Sequence, residues 1–63
     1  MSVFYIDLYF KDNETGKPFR MTTSQIAFTR EFALQKAYFE AQKIEREFDM
    51  TLLKTEFRGV FVE

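Results

Sequence analysis

The sequence contains no cysteine, no histidine and no tryptophan. Without cysteine the chain can form neither a disulfide nor a thiolate metal site. Without histidine it lacks the commonest zinc ligand and the usual general base near neutral pH. Proline occurs once and glycine twice, far apart, so there is no glycine-rich loop to cradle a phosphate. An excess of one charge is missing as well: nine basic residues stand against ten acidic ones, for a net charge of −1. Nucleic-acid binding normally shows as a basic surplus, and an acidic interaction tail as a run of like charge. No stretch approaches the ~20 apolar residues of a membrane span. The opening segment MSVFYIDLYF has no basic n-region, and Asp7 interrupts its apolar run, so it does not read as a signal peptide. These absences point to a soluble cytoplasmic protein with no cofactor, no metal and no membrane contact, for which nucleic acid is a disfavoured partner.

What is present is aromatic. Nine phenylalanines and three tyrosines occur in 63 residues, and each such side chain can bury about 150–250 Å². Residues 1–63 are read as a single domain. A chain of this size buries only about 60% of the surface its unfolded state exposes, so its stability is marginal. With disulfides excluded and no metal ligands, dense packing or oligomerisation must help.

Val3 to Phe10 alternates with a period of two, which marks a half-buried strand. Phe4, Ile6, Leu8 and Phe10 are assigned to the core, leaving Val3, Tyr5, Asp7 and Tyr9 on a half-exposed face. Asp12, Asn13 and Gly16 in KDNETGKP are turn formers. Their spacing does not match a calcium-binding loop, so a hairpin is expected. Pro18 enters a return strand in which Phe19, Met21 and Thr23 share one face; its extension through Gln25–Ala27 stays open.

Thr29 is suited to cap a helix running to Phe48, with Glu31 in the first turn favouring the positive end of the dipole. At about 100° per residue, Ala33, Ala37, Ala41, Ile44 and Phe48 fall in one sector about 80° wide, extended by Leu34 and Tyr38. This stripe is assigned to the core. Phe32 and Phe39 lie almost diametrically opposite, among Gln35, Lys36, Gln42, Lys43 and Arg46. Ile26 and Phe28 are expected to tuck under the helix start. Glu45, Glu47 and Asp49 crowd the last turn, where the dipole prefers cations and only Arg46 answers them.

The final segment TLLKTEFRGVFV reads as a third strand. Leu53, Thr55, Phe57 and Phe61 share one parity, Leu52, Val60 and Val62 the other, and Gly59 is placed to mark a bulge that exchanges the faces. The expected fold is α+β: a small two-layer ββαβ domain, with a three-stranded antiparallel sheet in the order 2-1-3 packed on one α-helix. This arrangement buries both amphipathic faces through short connections. It also leaves one sheet face and two sheet edges open, and such an edge is a template for pairing with another chain.

Thr15, Gly16 and Lys17 in the turn, followed by Phe28, Thr29 and Ala33 at the helix start, resemble the N-terminal arm-binding domain of phage-type tyrosine recombinases. The resemblance spans less than half of the chain and implies a DNA-contacting sheet. Here the chain departs from that pattern, lacking the basic sheet surface and adding a strand after the helix.

Catalysis needs a nucleophile and a base held together in a pocket. Glu45 and Asp49, four residues apart on the helix, are the nearest approach to a carboxylate pair, and surface pairs of this kind are normally just solvated. No enzyme activity is expected. Two binding surfaces are. The first comprises Phe28, Phe32, Gln35, Phe39 and Arg46 on the outer helix face, where leaving each phenylalanine in water forgoes roughly 1.5–3 kcal/mol relative to burial. It suits a protein partner, either a second copy in a homodimer or an unidentified larger protein that this accessory chain modulates. The second is the open sheet face, where Tyr5 and Tyr9 are spaced to stack bases with Arg20 and Arg58 supplying charge.

Overall fold

The computed structural model describes residues 1–62. The chain runs β1 (Ser2–Asp12), β2 (Pro18–Ala27), α1 (Arg30–Phe48) and β3 (Met50–Val62). The three strands form one antiparallel sheet in the order β2-β1-β3, and α1 covers one face. This is the ββαβ arrangement expected from the pattern of apolar residues.

The hairpin closes on Asp12, whose Oδ1 accepts the Glu14 and Thr15 N–H groups at 2.8 and 3.2 Å while its carbonyl accepts Gly16 N–H at 2.8 Å. Gly16 takes φ 77, a left-handed conformation that a side chain resists. β2 then continues through Gln25–Ala27, which settles the extension that the sequence left open.

The core lies between the sheet and the helix. Phe4, Ile6, Leu8 and Phe10 are all buried from the central strand, as the alternation required. From the helix come Ala33, Ala37 and Ala41, each fully buried. Alanine at these positions lets the helix backbone lie close to a sheet that already carries large side chains. Thr29 caps the helix, its hydroxyl accepting Phe32 N–H at 3.2 Å. Asp49 ends it in the left-handed conformation, φ 51 and ψ 57.

Four expectations need correction. Phe48 is 61% exposed and Tyr38 44%; the helix ends at Phe48, and Met50 and Leu52 of β3 close that end of the core instead. Ile26 and Phe28 are not tucked under the helix start, because β2 carries the chain straight to Ala27 and leaves them 54% and 77% exposed. The parity of β3 changes twice, not once. The register on β1 shifts between Tyr5 and Ile6 and again between Tyr9 and Phe10, leaving Arg58 and Leu53 as extra residues. The first bulge adjoins Gly59, as anticipated; the second puts Leu52 and Phe57 on the same face, with Leu53 exposed. Lastly, Asp7 is buried, although it stands on the sheet face away from the helix.

Candidate functional site

The outer face of α1, with Phe28 just ahead of its Thr29 cap, carries the first set of expected residues. Phe28, Phe32 and Phe39 are 77%, 57% and 67% exposed, and Gln35 and Arg46 are exposed beside them. Among the described residues no segment folds across them: β2 passes on the inner side, and Ile26 near its end is itself exposed. Two hollows flank the ridge. One, of about 250 Å³, is lined by Ile26, Phe28, Phe32 and Lys36 among others; the second, of about 290 Å³, by Gln35, Tyr38, Phe39 and Gln42. Lys36 lies over the first, its Nζ donating to the Ile26 carbonyl at 2.7 Å. The helix end is tied down as well, since Glu45 accepts the Leu52 N–H at 2.9 Å. That contact gives one of the crowded carboxylates a backbone donor, which the sequence did not reveal.

The second set also comes together. Tyr5 and Tyr9 point to the face away from the helix, with Arg20 opposite Tyr9 on β2 and Arg58 at the β3 bulge. Their side chains are already engaged, however. Tyr5 meets Phe61 edge-on with ring centroids 5.5 Å apart, and Lys54 lies 4.7 Å over the Tyr9 ring. Arg58 Nη1 reaches Asp7 Oδ1 at 3.6 Å. Asp7 also accepts a 2.6 Å hydrogen bond from the Thr22 hydroxyl. This bond is the main cause holding its carboxyl below the ordinary value; burial opposes it, and the charges of Arg58 and Arg20 reinforce it. A hollow of about 540 Å³ beside Tyr5 is walled by Thr22, Arg58, Val60 and Phe61.

Between helix and sheet lies a polar cluster that the sequence reading missed. Glu40 Oε2 accepts from the Thr23 hydroxyl and from Gln25 Nε2, both at 2.6 Å, and Gln25 also donates to Thr23 at 2.9 Å. Thr23 and Gln25 share a face of β2 with a separation of two, and that spacing was the available signal. The cluster is internally satisfied and acts as a clamp between α1 and β2.

No protein-family model matches the chain, and neither a curated protein nor a solved structure does. The resemblance to arm-binding domains therefore rests on its turn and capping residues alone. Among the described residues, no helix is long and apolar enough to cross a membrane.

Proposed function

We propose that this chain is a small, non-catalytic protein-interaction module that works through the outer face of α1. The observation that carries this reading is the ridge of Phe32 and Phe39, largely exposed on the side of α1 opposite the buried alanines, with Phe28 exposed just ahead of the Thr29 cap. A contiguous apolar patch rimmed by polar groups marks an interaction surface, whereas scattered single residues do not. Gln35, Gln42 and Arg46 are interspersed with the phenylalanines, and Lys36 and Lys43 border them. The partner is a second copy or a larger protein that this accessory chain modulates, and the lack of cysteine suits a cytoplasmic setting.

The nucleic-acid alternative is less well supported. Arg58 is held by Asp7, Lys54 by Tyr9 and Glu56, and Tyr5 by Phe61. A mobility shift with single-stranded oligonucleotides that weakens with salt would favour it.

The test of the main reading is sedimentation across concentration on the wild type and on Phe32→Asp/Phe39→Asp, with circular dichroism to follow folding. The expected result is a folded double variant that has lost an association present in the wild type. A wild type that is monomeric at every concentration, paired with a double variant destabilised by the ~3–5 kcal/mol typical of core phenylalanines, would show the ridge to be internal packing and overturn the reading.

A further inference from the structure

The charges beside the ridge say what occupies it and in which direction, an inference that rests on the reading above. Phe32, Gln35, Phe39, Gln42 and Arg46 follow one another along α1 at alternating steps of three and four residues, the spacing of a seam between two helices, and Phe28 lies just ahead of the Thr29 cap at its start. The two flanks of this seam differ in sign. Lys36 and Lys43 stand on the β2 side, fixed there by the bond from Lys36 to the Ile26 carbonyl. Glu31 stands exposed on the β3 side, bordering a hollow with Thr55 and Phe57; Glu45 stands on the same side with its carboxylate turned to Leu52 N–H. The remaining charges are less available to the seam. Glu40 turns inward to Thr23 and Gln25, and Arg30 lies 3.9 Å over the Phe57 ring. Glu47 follows Lys43 by one helical turn and offsets it in part.

We propose that a second copy of this chain packs its α1 along the first in the same direction, about a two-fold axis parallel to the helices. Such an axis lays the lysine flank of each copy against the glutamate flank of the other, bringing Glu31 beside the second copy's Lys36, the pairing that flanking charges make across a parallel seam. An axis across the helices would instead set lysines against lysines and glutamates against glutamates. Same-direction packing also stacks Phe32 on Phe32, Phe39 on Phe39 and the Gln35 amides on each other, where each amide can both donate and accept. The Arg46 pair falls at the end of the seam, near Glu45, Glu47 and Asp49.

The three phenylalanines supply most of the area such an interface needs. At about 200 Å² for a fully exposed phenylalanine, the three exposures quoted above amount to about 400 Å² per copy. The pair thus contributes about 800 Å² before Gln35, Gln42 and the lysine stems are counted, close to the ~1,000 Å² expected of a specific interface. The intrachain core gives a reason to associate, since its largest fully buried side chains are Phe10, Ile6 and Leu8 alone.

The test exploits the absence of native cysteine. Gln35→Cys and Gln42→Cys, made separately in the full chain, should both form disulfide-linked dimers on mild oxidation, because every seam position meets its own copy in a parallel pair. Opposed helices allow self-meeting only near the axis, so cross-linking at one site alone overturns the proposal. Glu31→Lys should weaken the dimer about tenfold at low salt, and Glu31→Lys/Lys36→Glu should restore it. A double variant as weak as the single one overturns the charge pairing. A wild type that stays monomeric up to millimolar concentration overturns the second copy as occupant. In that event the interaction reading is still decided separately, by whether Phe32→Asp/Phe39→Asp remains as stable as the wild type.

Discussion

The Thr22 hydroxyl donates a 2.6 Å hydrogen bond to Asp7 Oδ1 across the β1–β2 pair, on the sheet face that the helix does not cover. A carboxylate in the middle of a central strand would ordinarily weaken it, and here Thr22 and the Arg58 guanidinium compensate the charge from both neighbouring strands.

The bond has a pH signature. Thr22, with Arg58 and Arg20 behind it, holds the Asp7 carboxyl below its ordinary value of 3.8 against the opposing effect of burial. A folded-state pKa below the unfolded one adds stability that is complete above the unfolded value and lost as pH falls through the folded value. Asp7→Asn should therefore lower the urea midpoint at pH 7, and the gap to the wild type should close on acidification below about pH 4. A gap that is unchanged at about pH 2 would mean that Asp7 acts by packing and not by charge.

Phe10 and Phe48 were both assigned to the core by periodicity, and the structure separates them: Phe10 is 1% exposed and Phe48 61%. Phe10→Ala should cost about 3–5 kcal/mol. Phe48→Ala should fall within about 0.5 kcal/mol of the wild type. Urea unfolding of the two variants checks the contrast, and equal losses would put Phe48 back in the core.

This difference shows where the sequence is legible. Strict alternation in β1 identified all four of its core residues, because a strand has only two faces and one of them must be buried. The cap at Thr29 and the alanine stripe were equally readable, being local chemistry. Phe48 was not, because a helical wheel gives an angle but not where the supporting sheet gives out; Met50 and Leu52 had taken the space. The bulge at Leu53 was hidden for a related reason: an extra residue exists only relative to its partner strand, so parity along one strand cannot expose it. The outer ridge was legible as apolar positions on the wrong side of a helix. Its exposure was decided by β2, which carries the chain straight to Ala27 without folding back over the helix.

Ala37 is fully buried at the middle of the helix–sheet contact. If alanine there sets the spacing of the two layers, a larger apolar residue must push them apart. Ala37→Leu should destabilise the protein by about 1–3 kcal/mol even though it adds apolar surface. Exposed Gln42 is the control: Gln42→Leu should leave unfolding of the monomer nearly unchanged, within about 0.5 kcal/mol. Paired chemical denaturation curves at low protein concentration distinguish the two.

Asp49 holds φ 51 and ψ 57 at the end of α1, where its N–H meets the Glu45 carbonyl and its own carbonyl accepts Asn13 N–H at 3.1 Å. Those backbone bonds tie the helix end to the β1–β2 turn and survive any substitution that keeps the conformation. The left-handed region costs an ordinary L-residue roughly 1–2 kcal/mol, and glycine almost nothing. Asp49 moreover adds negative charge where the helix dipole disfavours it, while its side chain contributes only an exposed 3.2 Å bond from Asn13 Nδ2. Asp49→Gly should therefore raise the melting temperature, by about 4–8 °C if the net gain reaches ~1 kcal/mol. Asp49→Ala loses the same Asn13 bond but keeps the backbone strain, so it should melt below the glycine variant. Calorimetry of the two reads the strain directly: equal melting temperatures would mean that the left-handed angle at position 49 carries no strain for a residue with a side chain.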